Sequence, residues 1–177
     1  FQVGPEDRVL ILGVGGLGIQ AIEMCAICGA ETIALDIDDD KLAAAKAAGA
    51  TYAINTRNPR YLELLRDLGG GTVLFDTTGA AKALRDYVSV LKKGARILLV
   101  AYGPGREVHL DMADVVLNEF EILGSRGVGI QDVAEIMSLI ERKKYVPIVQ
   151  RYPLSEINEV IDNLNSNKLI GRAVLVP

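Results

Sequence analysis

Short apolar runs alternate with helix-patterned segments along nearly the whole chain. The runs are RVLILG (8–13), TIALD (32–36), TYAI (51–54), TVLFD (72–76), RILLVA (96–101) and FEILG (120–124), each bounded by Gly, Asp or Asn. They lack the polar alternation of a half-exposed strand, which predicts strands buried on both faces of a parallel sheet. Between them, 17–28, 39–48, 59–68, 80–92 and 111–118 carry helical spacing, and the first three stop at Gly29, Gly49 and Gly69, residues suited to a left-handed C-cap. A helix (131–144), a short strand (147–150), a helix (154–166) and a last strand (172–176) follow. Right-handed crossovers place helices on both faces of such a sheet. The expectation is an α/β, doubly wound, parallel six-stranded sheet in the order 3-2-1-4-5-6, with a C-terminal α/β appendage. Residues 1–145 form the main unit and 146–177 the appendage.

Gly13, Gly15, Gly16 and Gly18 crowd into GVGGLG, between the first strand and the first helix. The spacing is G-x-G-x-x-G. Gly13 permits the tight turn, Gly15 has no Cβ to block a pyrophosphate, and Gly18 lets the helix lie close on the strand; Gly16 and Leu17 complete the turn. The first N–H groups of the helix then face an anion along the positive end of its dipole. A plain strand-to-helix turn, or a methyltransferase, can show the same glycines. Asp36 adds the context. It ends the second strand where a ribose hydroxyl acceptor belongs, while Asp38 or Asp39 is better placed to cap the next helix. A carboxylate there repels a 2′-phosphate, since unit charges ~4 Å apart interact by about 1 to 4 kcal/mol at effective dielectrics of about 80 to 20. No Arg follows Asp36 to offset this. The motif reads as a Rossmann fold that binds NAD.

Composition narrows the picture. At 177 residues the chain suits one domain that buries a core without staples. Half the residues are apolar, yet no run reaches the ~20 residues of a membrane span. A net charge of −4 with both signs interspersed argues against nucleic acid or an anionic membrane as partner. Two cysteines, one histidine and no signal-like start point to a cytoplasmic setting. The opening FQVGPEDRV, without Met, suggests an excised piece.

The sequence resembles the medium-chain dehydrogenase/reductases, in their zinc-type alcohol dehydrogenase branch. GVGGLG, LDIDDDKLAAAKAAGA, LFDTTG, LKKGARILLVAYG, EFEILGS and YPLSEINEVIDNLNSNKLIGRAVLVP match that family's landmarks in order. The resemblance implies that Lys41 reaches the adenosine ribose, that Thr78 and Gly79 form the turn beside the adenosine, and that backbone at Val100, Tyr102 and Leu123 holds the nicotinamide carboxamide. It implies that Arg172 pairs with the pyrophosphate.

It also implies an N-terminal GroES-like catalytic domain that supplies the zinc ligands, substrate pocket and proton relay. None of these residues is in this chain, so no catalytic or metal-ligating residue is assigned. Zinc belongs to the parent enzyme, and catalysis needs three or four converging ligands for it. Cys25 and Cys28 look like Cys-x-x-Cys but lie one turn apart in a helix, as buried hydrophobes do. His109 reads as an edge or interface residue. Residues 146–177, which in family members return to the catalytic domain, have here to pack on the main sheet or move. The resemblance also implies a homo-oligomer that pairs sheet edges at EVHLDM (107–112), after the YGPGR loop; the segment alternates in twos as a short strand does, the alternative being a connecting loop packed on its own domain. The expected function is the NAD(H)-binding half of an alcohol dehydrogenase-like oxidoreductase; the alternative is a stand-alone NAD-responsive module without catalysis.

Overall fold

The structure, a computed structural model, describes residues 2–102 and 107–177. Most of the expected YGPGR loop, residues 103–106, lies outside the described residues. Strands β1 (Arg8–Leu12), β2 (Glu31–Asp36), β3 (Tyr52–Asn55), β4 (Gly71–Asp76), β5 (Leu91–Leu99) and β6 (Glu121–Gly124) form one sheet. Its order is β3-β2-β1-β4-β5-β6, and every pair is parallel. The connecting helices are α1 (Gly18–Ile27), α2 (Asp39–Ala47), α3 (Tyr61–Asp67), α4 (Ala81–Val88) and α5 (Met112–Leu117). The expected topology is the one observed.

The absence of polar alternation now has its cause. Successive side chains of a strand point to opposite faces, and here both faces are covered. Leu10, Leu12, Ile33, Leu35, Leu74 and Ile97 pack on one side with Leu65 of α3 and Leu84 of α4. Val9, Ile11, Ala34 and Val73 pack on the other with Ile19, Ile22 and Cys25 of α1. Gly29, Gly49 and Gly69 take positive φ at the helix ends, as their C-cap positions require. Because β2 lies on one side of β1 and β4 on the other, a crevice opens beyond the carboxyl ends of β1 and β4, where doubly wound sheets place their ligands.

Two segments differ from expectation. The helix expected over 80–92 ends at Val88, and β5 starts at Leu91 instead of near Arg96. Pairing with β4 jumps from Gly71↔Leu91 to Val73↔Arg96, so the residues between form an irregularity around Gly94, whose φ is +73°. Glu107–Asp111 form no strand; Asp111 caps α5 by accepting from the Ala113 N–H at 2.8 Å, and Leu110 turns partly onto the core. A strand needs a ladder partner, and none of the described strands pairs there.

After β6 the main unit adds α6 (Ile130–Glu141), and the appendage comprises β7 (Val149–Pro153), a 3-10 turn at Leu154–Glu156, α7 (Ile157–Asn165) and β8 (Arg172–Val176). β7 and β8 form a separate two-stranded parallel sheet. The segment is anchored to α1: the buried Tyr145 hydroxyl donates to Gln20 Oε1, and Gln20 Nε2 donates to the Ile148 carbonyl at 3.1 Å. Ile148 and Ile170 pack against the α1 side of the core. Packing on the main domain is thus the outcome for residues 146–177.

At the opposite end, Asp7 (4% exposed) ties the N-terminal segment to the sheet. Its carboxylate accepts from Arg96 Nη2 at 2.5 Å, Thr72 Oγ1 at 2.8 Å and the Gly4 N–H at 3.0 Å. Burial pushes the carboxyl up, but the Arg96, Gly4 and Thr72 hydrogen bonds outweigh it and hold it below the ordinary range. A depressed folded-state pKa gives stability that is present above the unfolded value and lost as pH falls through the folded one. Asp7→Asn is therefore expected to cost about 1–3 kcal/mol at neutral pH. Denaturant titrations should show the gap to wild type closing at acid pH; an equal gap at both would refute this role.

Candidate nucleotide-binding site

The glycine turn is shaped by close approach. Gly13 has φ +83°, and a Cβ there would stand 2.7 Å from Thr78 Cγ2 and 2.8 Å from Thr77 Oγ1. Thr77 secures the turn by donating its hydroxyl to the Leu12 carbonyl at 2.7 Å. A Cβ on Gly18 would lie 1.9 Å from the Gly13 carbonyl oxygen, so α1 can start against the strand only without a side chain. Gly15 is different. A Cβ there would meet nothing within 4 Å, so the space beside it is open. Leu17 occupies the N-cap position, half exposed, and no side chain caps α1. The Ile19 N–H is taken by the Gly15 carbonyl at 3.1 Å, while among the described residues no hydrogen bond engages the N–H groups of Gly16, Leu17 and Gly18, which stay available to an external acceptor. From the other side comes Arg172: its Cδ and Nε lie 2.9 Å from where a Gly16 Cβ would be. β8 starts with that residue, and its N–H is fixed to the Ile148 carbonyl at 3.0 Å. Bare helix end and guanidinium converge on one open space, a site for an anion.

Asp36 closes the far side of the turn. Its Oδ2 accepts from the Val14 N–H at 2.7 Å, and its Oδ1 accepts from the N–H groups of Ile37 at 2.7 Å and Asp38 at 3.1 Å. An ionised carboxylate offers about four acceptor sites, so capacity remains for a ligand hydroxyl. It is not the helix cap. That role falls to Asp38, which accepts from the N–H groups of Asp40 and Lys41. Next to it lies a cleft of about 630 Å³ lined by Ile37, Asp38, Lys41, Arg57, Asn167 and Lys168, among others. Lys41 is buried, and its ammonium donates to Asn167 Oδ1 at 2.5 Å.

A second cleft, of about 390 Å³, opens at the ends of β4, β5 and β6. Gly79, Val100 and Tyr102 line it with the buried Asp76 and with Ser125 and Arg126. Asp76 Oδ1 accepts from the Thr78 N–H at 2.8 Å and Thr78 Oγ1 at 2.7 Å, which fixes the turn after β4. A Gly79 Cβ would stand 3.2 Å from the Ala101 backbone, so the Thr78–Gly79 turn abuts the end of β5. The Val100 N–H is taken by the Asp76 carbonyl at 3.2 Å. Tyr102 is 85% exposed. Leu123 sits inside β6, one residue before the lining Gly124.

Residues 16–142 match the family model described as zinc-binding dehydrogenase. The chain belongs to that family. It is 36% identical to an NAD-dependent alcohol dehydrogenase of Sulfurisphaera tokodaii over 99% of this chain and 52% of that protein. An alcohol dehydrogenase of a Moraxella species is 34% identical over 97% of this chain and 51% of its own length. Among solved structures, an alcohol dehydrogenase from the archaeon Aeropyrum pernix superposes with TM-score 0.88 at 30% identity, covering 99% of this chain and 52% of that one. The chain spans about half the length of these relatives. The resemblance to the zinc-type alcohol dehydrogenase branch is thereby borne out.

The zinc that the dehydrogenase family's name implies finds no ligand set among the described residues: no three of their His, Cys, Asp or Glu groups converge. Cys25 is buried and Cys28 exposed at the end of α1, both as free thiols. Burial, with smaller effects from Cys28 and Asp7, pushes the Cys25 thiol up to about 11. A thiol so protonated is a poor nucleophile. Iodoacetamide near neutral pH should label Cys28 and spare Cys25 in the folded chain; early labelling of Cys25, read by peptide mass, would refute this. His109 is exposed and lies 3.4 Å from the Glu107 carboxylate. Sequence reasoning missed Asp76, Arg57, Ser125, Arg126, Asn167 and Lys168. Asp76 carried a signal, since it ends a strand exactly as Asp36 does, two positions before Thr78; the others are placed by tertiary packing.

Proposed function

We propose that this chain binds NAD(H) and presents the nicotinamide for hydride transfer to or from an alcohol or carbonyl substrate in a zinc-dependent, alcohol dehydrogenase-like oxidoreductase. The observation that carries the reading is the open space at Gly15 beside the start of α1, which no side chain caps, with Arg172 lying against the neighbouring Gly16. A pyrophosphate fits there by charge and by room. Gly13, Gly15, Gly16, Leu17 and Gly18 would hold it with Arg172. Asp36 would accept a hydrogen bond from the adenosine ribose and Lys41 would donate one, with the adenine in the cleft over Ile37. Thr78 and Gly79 would form the turn beside the adenosine, and backbone at Val100, Tyr102 and Leu123 would hold the nicotinamide carboxamide. The nicotinamide supplies the hydride chemistry, and the protein supplies orientation.

Zinc, substrate pocket and proton relay would come from a GroES-like domain of the same enzyme, in keeping with relatives about twice this length. The relatives' names weigh against a stand-alone NAD-responsive module. No helix among the described residues is long and apolar enough to cross a membrane, and a cytoplasmic setting without nucleic-acid or membrane partners is part of the proposal. Calorimetric titration tests the reading. NADH should bind saturably, and S-adenosylmethionine should not compete with it; competition, or no binding of NADH, would overturn the assignment.

The proposal includes a homo-oligomer through Glu107–Met112. Val108 and Met112, the latter at the start of α5, are exposed at 42% and 80%, and among the described residues no strand pairs with Glu107–Asp111. Pairing with a second copy would satisfy that backbone. Sedimentation at micromolar concentration should show a dimer that Val108→Asp shifts toward monomer. A clean monomer for the unmutated chain would retire this interface.

A further inference from the structure

The deepest unexplained side chain at the adenosine end is Lys41. It is 3% exposed, and lysines are almost never so buried unless paired. Among the described residues no carboxylate forms an ion pair with it. Its acceptor is instead Asn167 Oδ1 at 2.5 Å, from a residue 126 positions away. Both residues line the cleft of about 630 Å³ beside Asp36. An ammonium has three donors, so this one bond leaves two for a ligand.

Asn167 is unusual in its own right. Its φ is +59°, just past the end of α7. Its N–H bonds the Leu164 carbonyl at 3.0 Å, and the next N–H bonds the Asn163 carbonyl at 2.9 Å, which closes the helix end. That closure is a backbone arrangement that glycine adopts at the least cost. Asparagine tolerates it, and among the described residues its amide makes one side-chain hydrogen bond, to Lys41.

We infer that Asn167 is a positioning residue: its amide oxygen holds the Lys41 ammonium at the ribose and so couples the appendage to cofactor binding. This inference rests on the proposed adenosine site. Five positions beyond, the same segment delivers Arg172 to the glycine turn. One stretch of chain thus reaches both the ribose and the pyrophosphate positions, and the Lys41–Asn167 bond fixes its near end.

The backbone geometry supplies a clean test. Asn167→Gly keeps the left-handed turn and removes only the acceptor; Asn167→Asp keeps the acceptor and adds a charge that also pairs with Lys41. NADH affinity is measured by fluorescence titration for wild type, both variants, Lys41→Met and the Lys41→Met/Asn167→Gly double variant, with thermal melts alongside. Asn167→Gly should weaken NADH about tenfold, the scale of one hydrogen bond to a charged group, while the chain still melts in a cooperative transition. Asn167→Asp should bind within about twofold of wild type, and the double variant no more weakly than Lys41→Met alone, because interacting residues are not additive. Wild-type affinity in Asn167→Gly, additive losses in the double variant, or failure of Asn167→Asp to rescue would overturn the inference while leaving the cofactor site standing. If unmutated protein does not bind NADH, the cofactor reading falls and this inference with it.

Discussion

Gly15→Val is expected to abolish NADH binding while the chain still folds. The two halves of that expectation have separate grounds. A Cβ at Gly15 meets nothing within 4 Å, and Gly15 is not among the positive-φ glycines, so a branched residue strains neither packing nor backbone. The volume it fills is the open space at Gly15, beside the start of α1, where the pyrophosphate is proposed to lie. Displacing it loses about 3 kcal/mol or more, about a hundredfold in Kd. Gly18→Ala makes the contrast. There the new methyl meets the Gly13 carbonyl at 1.9 Å, so stability should fall together with binding. Circular dichroism melts and NADH fluorescence separate the two cases. Normal NADH binding by Gly15→Val would mean that the pyrophosphate sits elsewhere.

The second large effect concerns cofactor choice. Asp36 should give NAD its preference over NADP, by accepting from the ribose and repelling a 2′-phosphate. Removing the carboxylate is expected to weaken NAD by about 1–3 kcal/mol, the cost of a lost charged hydrogen bond, and to narrow the gap to NADP. The structure refines the choice of variant. Asp36 also accepts from the Val14, Ile37 and Asp38 N–H groups, so Asp36→Ala would loosen the turn as well. Asp36→Asn removes the charge and keeps one oxygen, which can still accept from the Ile37 and Asp38 N–H groups but not also from that of Val14. Calorimetry of both cofactors against both proteins reads the difference, and equal wild-type affinities for NADH and NADPH would sink the idea.

The sheet was legible because both of its faces are buried, which makes each strand a short continuous apolar run with a polar or glycine end. The turn was legible because its glycine spacing is local and Gly18 is forced by the nearby Gly13 carbonyl, although the contacts that force Gly13 come from Thr77 and Thr78 on distant chain. Asp36 could be separated from Asp38 because strand end and helix cap fall at fixed offsets. What was missed depends on distant chain. Leu91, Lys92 and Lys93 favour a helix locally, but pairing of Leu91 with Gly71 and the left-handed Gly94 end it early. Asn167 carries no local sign of a partner 126 residues away. Arg172 was placed by family resemblance; the physical reason, its approach to Gly16, needed the fold. Glu107–Met112 alternates as a strand does, and within one chain alternation without a neighbour makes no strand.

The central claim is that one cofactor spans the glycine turn from Asp36 to Tyr102. Backbone amide chemical shifts followed during NADH titration of the unmutated chain test it most directly. The account predicts large changes at Gly15–Gly18, Asp36, Lys41, Thr78, Gly79 and Arg172, all saturating with one affinity. Saturable shifts confined to other surfaces, with the Gly15–Gly18 amides unmoved, would contradict it.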